Sequence, residues 1–385
     1  MSWPLVTIKS VATVTTGKTP STKVAEYFGG SIPFITPAEL GVTATVLSSK
    51  QTLTEAGAAK IKLVPKNSVL VCCIGSLGKL AIADRELGTN QQINSVTFDE
   101  SKVYPKYGYY ALSLLKPILE SMAPATTVAI VNKSKFEALN IPLPPLEEQK
   151  RIAAILDKAD AIRQKRQQAI ELADEFLRSV FLDMFGDPVM NPKGWETFPI
   201  DKISQVVTGN TPPRSEKDNY GSHMEWIKSD NINTPNHYLT EAEEYLSHKG
   251  LDKGRIVPEG AILITCIAGS PQCIGNVAIT NRTVAFNQQI NALIPSDRVT
   301  TQYIYSLVLF GKKLIQSIST NSMKGMVSKG NLEKLCIPIP PIELQNKYSL
   351  IFKSLEEKFN LLCDSKKYGD DLFSSIQKKA FSGQL

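Results

Sequence analysis

A chain that repeats itself must fold into something that repeats. Trp3 and Trp195 stand 192 residues apart, and Ile8 and Ile200 keep that offset. Val14-Thr15-Thr16-Gly17-Lys18-Thr19-Pro20 returns as Val206-Val207-Thr208-Gly209-Asn210-Thr211-Pro212, and Pro33-Phe34-Ile35-Thr36 as Glu225-Trp226-Ile227-Lys228. The offset grows to 193 at Val64-Pro65 and Val257-Pro258, then to 197 at Asn90-Gln91-Gln92-Ile93-Asn94 and Asn287-Gln288-Gln289-Ile290-Asn291. It settles at 196 between Ile141-Pro142-Leu143-Pro144-Pro145-Leu146-Glu147 and Ile337-Pro338-Ile339-Pro340-Pro341-Ile342-Glu343. Phe185-Gly186 is answered at the other end by Phe381 and Gly383. Matched blocks in one order, drifting by only a few residues, make this a tandem duplication.

Each copy divides in two. Residues 1–144 and 187–339 carry short β-branched runs, Gly/Pro/Asn/Ser turns and helical stretches such as 107–122 and 301–318, which predicts an α+β (mixed α/β) module. Apolar strands are expected at 69–74 and 261–267; the sheet order is not readable from this pattern. Residues 145–186 and 340–385 each read as a long helix after a proline stop. Pro144-Pro145 cannot lie inside a helix, so the first begins near Leu146, with Glu147 and Glu148 at its positive end.

A heptad in the first helix places Ile152, Ala159, Ala173 and Val180 on one seam position and Ile155, Ile162, Ala169 and Phe176 on the other, with Arg166 interrupting. The second helix puts Tyr348, Phe352, Leu355, Phe359 and Leu362 on one stripe, which is expected to fray around Gly369 and resume at Leu372, Phe373, Ile376 and Ala380. Two such stripes are most simply buried against each other as an antiparallel coiled coil; the alternative packs each helix on its own module.

Composition excludes more than it proposes. With 42% hydrophobic and 21% charged residues the chain is neither disordered nor membrane-spanning, and Met1-Ser2-Trp3-Pro4 lacks the features of a signal peptide. Six cysteines without CxxC spacing fit a reduced, cytoplasmic protein. Lysine plus arginine number 43 against 37 acidic residues, a net charge of +6, which permits nucleic-acid contact without establishing it.

Two copies of one fold on a rigid spacer suit a ligand with two sites at fixed separation, and DNA has that geometry. Pro212-Pro213-Arg214-Ser215-Glu216-Lys217-Asp218 has little in common with Pro20-Ser21-Thr22-Lys23-Val24-Ala25-Glu26. If such loops read bases, the target is bipartite and asymmetric.

Phe185-Gly186-Asp187-Pro188, followed by Asn191-Pro192-Lys193-Gly194-Trp195, resembles the junction between the halves of type I restriction–modification specificity subunits. The repeated Thr-Gly-x-Thr-Pro, Asn-Gln-Gln-Ile-Asn and Pro-x-Pro-Pro-x-Glu-x-Gln blocks, the last at 142–149 and 338–345, strengthen the likeness across essentially the whole chain. The resemblance implies two target-recognition domains, separated by helices acting as a ruler and lacking an active site. It also implies double-stranded DNA as ligand, two modification subunits that methylate adenine with S-adenosylmethionine, and restriction subunits that use ATP and magnesium.

The chain's own motifs agree with a non-catalytic role. There is no GxxxxGK[ST] loop, and Asp187-Pro188-Val189 and Asn191-Pro192-Lys193 only partly match the Asn/Asp-Pro-Pro-aromatic motif of a methyltransferase. A nuclease set of Asp84, Glu100 and Lys102 is answered in the second copy by Asn281, Asp297 and Val299, which could not do the same chemistry. His223, His237 and His248 fit no zinc spacing and are expected to be solvated or near bases.

Amides, guanidinium groups and ammonium groups in loops suit base edges and phosphates. Candidates for base contact are Lys18, Thr19 and Thr36 in the first copy and Asn210, Thr211, Arg214, Lys228, Asp230 and Asn231 in the second. Lys79, Lys133, Lys135, Lys324 and Lys329 are better placed for phosphate. Gln91, Gln92, Gln288 and Gln289 recur in both copies, which suits pinning a loop or touching backbone better than reading different bases. The rivals are a protein-interaction scaffold, or the targeting subunit of a two-subunit restriction enzyme whose partner both methylates and cuts.

Overall fold

The computed structural model describes residues 3–46, 48–123, 128–232, 236–320 and 325–385. Contacts group the chain into two compact units: residues 1–167 with 365–385, and residues 168–364. Each unit holds one module together with the first part of the helix that follows it and the last part of the other long helix.

In the first unit, Ala12–Thr16, Ile93–Phe98, Val69–Cys72 and Leu80–Ile82 form, in that order, a four-stranded antiparallel sheet. Val69–Cys72 is apolar on both faces because both are covered. Val69 and Val71 join Val14, Val96 and Phe98 beneath three short helices, through Tyr107, Leu112, Leu119 and Phe136. Leu70 and Cys72 face the other way, onto Ile35, Leu40, Val64 and Leu87 under a smaller sheet of Gln51–Leu53, Phe28–Ile35 and Gly88–Thr89.

The second unit repeats this order with Ser204–Thr208, Ile290–Pro295, Ile262–Thr265 and Val277–Ile279. Its smaller sheet has five strands: Tyr220–Gly221, Tyr245–Leu246, Met224–Ile227, Val284–Phe286 and Ile256–Val257. The helical stretches expected at 107–122 and 301–318 are each broken in two. Pro105–Ser113 stops before Lys116–Met122, where Pro117 offers no N–H, and Thr301–Phe310 stops at Gly311 before Lys312–Ser317.

The long helices run Leu146–Phe185 and Ile342–Ser382 without interruption. The glutamine of each Pro-x-Pro-Pro-x-Glu-x-Gln block fixes the helix start. Gln149 is fully buried; it accepts from Tyr104 N at 2.8 Å and donates to the carbonyls of Lys102 (2.9 Å) and Pro144 (2.8 Å). Gln345 repeats this with Thr300 N, Arg298 O and Pro340 O. Gly186 and Gly383, both at positive φ, end the helices.

Within each unit the helix segments pack antiparallel. In the first, Ile152, Ala153 and Leu156 share a core with Phe373, Ile376, Ala380 and Phe381, and Arg163 Nε meets Asp370 at 2.6 Å. In the second, Leu177, Phe181 and Phe185 meet Tyr348, Phe352 and, at the margin, Val180 and Leu355. Phe359 is buried, whereas Leu362 is half-buried.

The expected register needs correction. Ile162 and Phe176 are 51% and 54% exposed, while Leu156, Ile170 and Leu177 are buried; Ile155 and Ala159 are only half-buried. The second seam position follows Ile152 by four residues rather than three, giving 156, 163, 170 and 177. At 163 the seam carries Arg163, which stacks on Phe373 at 4.5 Å as it pairs with Asp370. The expected fray at Gly369 is also absent, and Leu372 is 61% exposed. The glycine instead makes a notch for the Arg166 guanidinium, since a Cβ there would stand 2.2 Å from Nη1.

Candidate nucleic-acid interface

The two motifs that recur within each module meet in space. Ala12–Thr16 pairs with Ile93–Phe98, so the residues following one strand lie against those preceding the other. Gly17 N donates to Ile93 O and Lys18 N to Thr89 O, both at 2.9 Å, and Thr16 Oγ1 donates to Asn94 Oδ1 at 2.7 Å. Thr19 Oγ1 then donates to Gln91 Oε1 at 2.8 Å. Gln92 is held through Asn90, whose Oδ1 accepts from Gln92 N and whose Nδ2 donates to Gln92 Oε1.

The second copy reproduces this clamp. Gly209 N donates to Ile290 O, Asn210 N to Phe286 O, Thr208 Oγ1 to Asn291 Oδ1 and Thr211 Oγ1 to Gln288 Oε1. Asn287 brackets Gln289 as Asn90 brackets Gln92, and Ser229 Oγ adds a bond to Gln289 at 3.1 Å. The clamp also explains the glycines: a Cβ on Gly17 or Gly209 would lie 2.2 Å from the carbonyl oxygen of Asn90 or Asn287. Thr19, Gln91, Gln92, Thr211, Gln288 and Gln289 thus take part in joining strands, and Gln91 and Gln288 do so while exposed.

Where the copies differ, their chemistry differs too. Thr36 closes a turn by donating its N–H and hydroxyl to Glu39 Oε2, at 2.9 and 2.7 Å. At the matched turn Lys228 N donates to Asn231 Oδ1 at 3.0 Å, and Asn231 is buried with its amide donating to Thr240 and Glu241. Asn231 is thus consumed by its turn. Lys228 Nζ pairs with Glu244, which also takes Arg214 at 2.7 Å; together they hold the Glu244 carboxyl below the usual range, the arginine contributing most.

Arg214 lies over the rings of Tyr220 (4.5 Å) and Trp226 (4.9 Å). Asp230 is exposed beside them, Lys18 is exposed in the first copy, and Asn210 Nδ2 donates to Lys253 O. Tyr220, Trp226 and Glu244 were not expected in the site; Trp226 lies in a repeated block but where the copies differ, Phe34 standing at the matched position, and the short strand 245–246 brings Glu244 beside it.

Among the phosphate candidates, Lys133 pairs with Glu137 at 3.9 Å and Lys329 with Glu333 at 3.5 Å, in matched short helices. Lys79 and Lys135 are exposed, and Lys79 lines a cleft of about 400 Å³ with Lys116 and Gly75. Lys324 lies outside the described residues.

Each of the nuclease residues has a partner outside the set. Asp84 pairs with Arg85 at 2.6 Å, Glu100 accepts from Asn67, and Lys102 pairs with Asp99. Among the described residues no group of three or more His, Cys, Asp or Glu side chains is placed to hold a metal. His223 and His248 are exposed and stacked 3.5 Å apart. His237, expected to be solvated or near bases, is instead 8% exposed between Tyr305, Phe352 and Phe359. Burial drops its pKa from 6.5 to about 4.

Comparisons with known proteins converge on this pair of modules. The family model for the type I restriction modification DNA specificity domain matches twice, over residues 2–172 and 192–367. The chain is similar to the type I restriction enzyme MjaIX specificity subunit of Methanocaldococcus jannaschii, 24% identical over 92% of this chain and 87% of the relative. The MjaVIII specificity subunit of that organism is 23% identical over 100% of this chain and 93% of the relative. In fold it is similar to the S subunit of a type I restriction–modification system from M. genitalium, at 17% identity and a TM-score of 0.61, over 99% of this chain and 96% of that one.

Proposed function

Because the chain belongs to the family of type I restriction modification DNA specificity domains, we propose that it is the subunit that reads a bipartite, asymmetric DNA target and itself catalyses nothing. Two modification subunits bring S-adenosylmethionine and methylate adenine; restriction subunits bring ATP and magnesium and cut unmethylated DNA. The assembly works in the cytoplasm; no helix among the described residues is long and apolar enough to cross a membrane.

One observation carries the reading of an asymmetric target. The residues common to the copies form the clamp and the helix lock, whereas the loops beside the clamp differ in charge and aromatic content. A shared frame with unlike edges suits two unlike half-sites. Lys79 and Lys135 serve the phosphate backbone, which carries no sequence information.

The experiment is genome-wide mapping of methylated adenine in cells expressing this chain with its cognate modification subunit. A split motif with two unlike halves and a fixed gap is expected. Unmethylated DNA in cells that hold a stable, active complex would overturn the reading in favour of a protein scaffold.

A further inference from the structure

We propose that Arg214 is a specificity-determining residue of the second module and reads a guanine in its half-site. This rests on the DNA-recognition reading above.

The loop that presents Arg214 is held at three backbone carbonyls. Trp226 Nε1 donates to Asn210 O at 3.2 Å, Tyr220 OH to Pro212 O at 2.7 Å, and Asn219 Nδ2 to Pro213 O at 3.1 Å. Arg214 follows directly, so its backbone is placed before any ligand arrives. The matched residues of the first module are Phe34, Phe28 and Tyr27; neither phenylalanine has a donor to give. Strand pairing sets the rest of the correspondence: Phe34 faces Gln51 as Trp226 faces Glu244, because Pro33 pairs with Thr52 and Glu225 with Tyr245. Arg214, Lys228 and Glu244 are therefore answered by Thr22, Thr36 and Gln51, all neutral. On a common frame, this is a place where the two modules present different chemistry to a ligand.

The charge around the cluster favours a base edge over a phosphate. Asp230, Glu241, Glu243 and Glu244 line one hollow of about 190 Å³ with Trp226 and Lys228. A phosphate entering there would meet four carboxylates against the one ammonium of Lys228, whereas a base edge brings no charge. Arg214 itself remains half-exposed, its side chain 54% accessible although paired. The guanidinium fork matches O6 and N7 of guanine, while Glu244 and the two rings hold it in a defined orientation until the base takes over.

The test compares methylation motifs from the assembled complex carrying R214Q, R214A or E244Q with that of the unchanged chain. The unchanged chain should show a guanine in one half-site. In R214Q that guanine should give way to adenine or to any base, with discrimination falling about tenfold or more. The other half-site and the gap should stay as they were. R214A should relax the same position, and R214Q, which keeps a polar side chain there, decides the matter if R214A does not fold. E244Q should keep the guanine, because the carboxylate only holds the arginine in waiting. An R214Q chain that retains its guanine, or two half-sites both lacking guanine in the unchanged chain, overturns the assignment of Arg214. Absence of any split motif from the unchanged chain overturns the functional reading itself, so the two failures are distinguishable.

Discussion

Two glycines show how one close approach can have opposite consequences. At both Gly209 and Gly369 an added Cβ would meet a polar atom at 2.2 Å. At Gly209 that atom is the backbone carbonyl of Asn287, fixed within the clamp, so Gly209→Ala must open it. A loss of roughly 1–3 kcal/mol is expected in thermal or denaturant unfolding. At Gly369 the atom is the end of the Arg166 side chain, which can swing aside. Gly369→Ala should therefore gain about 1 kcal/mol from helix propensity. If both substitutions destabilise equally, the notch matters more than the arginine's freedom suggests.

His237 makes the stability of the fold depend on pH. Its Nδ1 shares a hydrogen bond with Tyr305 OH at 2.9 Å, and Asp174 Oδ1 stands 4.0 Å from Nε2. Burial holds the folded-state pKa near 4 against 6.5 for the free side chain. The unfolded chain thus takes up a proton first as pH falls. Stability from this group is fully present above pH 6.5 and is lost between there and about 4, on the order of 3 kcal/mol in all. Asp174 works the other way: burial raises its pKa, so it favours low pH and blunts the slope. Melting of His237→Gln should show a shallower acid-side loss and that of Asp174→Asn a steeper one. An unchanged slope in His237→Gln would mean that the fold does not shift the His237 pKa.

Among the elements, the long helices were legible in the sequence and their contact register was not. Two prolines and two glutamates placed the first helix start at Leu146, where it lies, because proline geometry is local. The seam depends on what covers it. Arg163 occupies a seam position that an apolar template skips, so the template slid one residue and counted Ile162 and Phe176 instead of Leu156, Ile170 and Leu177. Leu156→Ala should therefore cost about 2–5 kcal/mol and Ile162→Ala less than about 0.5. The reverse order in unfolding measurements would restore the heptad first expected. The clamp was legible only as two separate repeats, since Thr19 and Gln91 are 72 positions apart and meet through strand pairing. Glu244 left no trace at all, lying in a segment that neither repeats nor alternates.

For the whole molecule, the duplication makes the two long helices partly interchangeable. In the first unit Phe373, Ile376, Ala380 and Phe381 complete the core around Ile152 and Leu156, and Phe381 sits 5.2 Å from Tyr107. At the 196-residue offset their counterparts are Leu177, Val180, Met184 and Phe185, and Phe185 sits 4.9 Å from Tyr303, the counterpart of Tyr107. Asp370, which pairs with Arg163, corresponds to Asp174. A fragment of residues 1–190 lacks the segment 365–385 and would leave this apolar surface bare, but carries its substitute in 174–185. Two copies can each supply that segment to the other, forming a closed, symmetric pair. The fragment should sediment as a dimer and, with the modification subunit, direct methylation to a palindrome built from the first half-site. Phe185→Ala should weaken the dimer, because that ring takes the place of Phe381 against Tyr107. A fragment that remains monomeric and folded would show that the module does not need this contact, and the equivalence of the helices would then stop at their sequences.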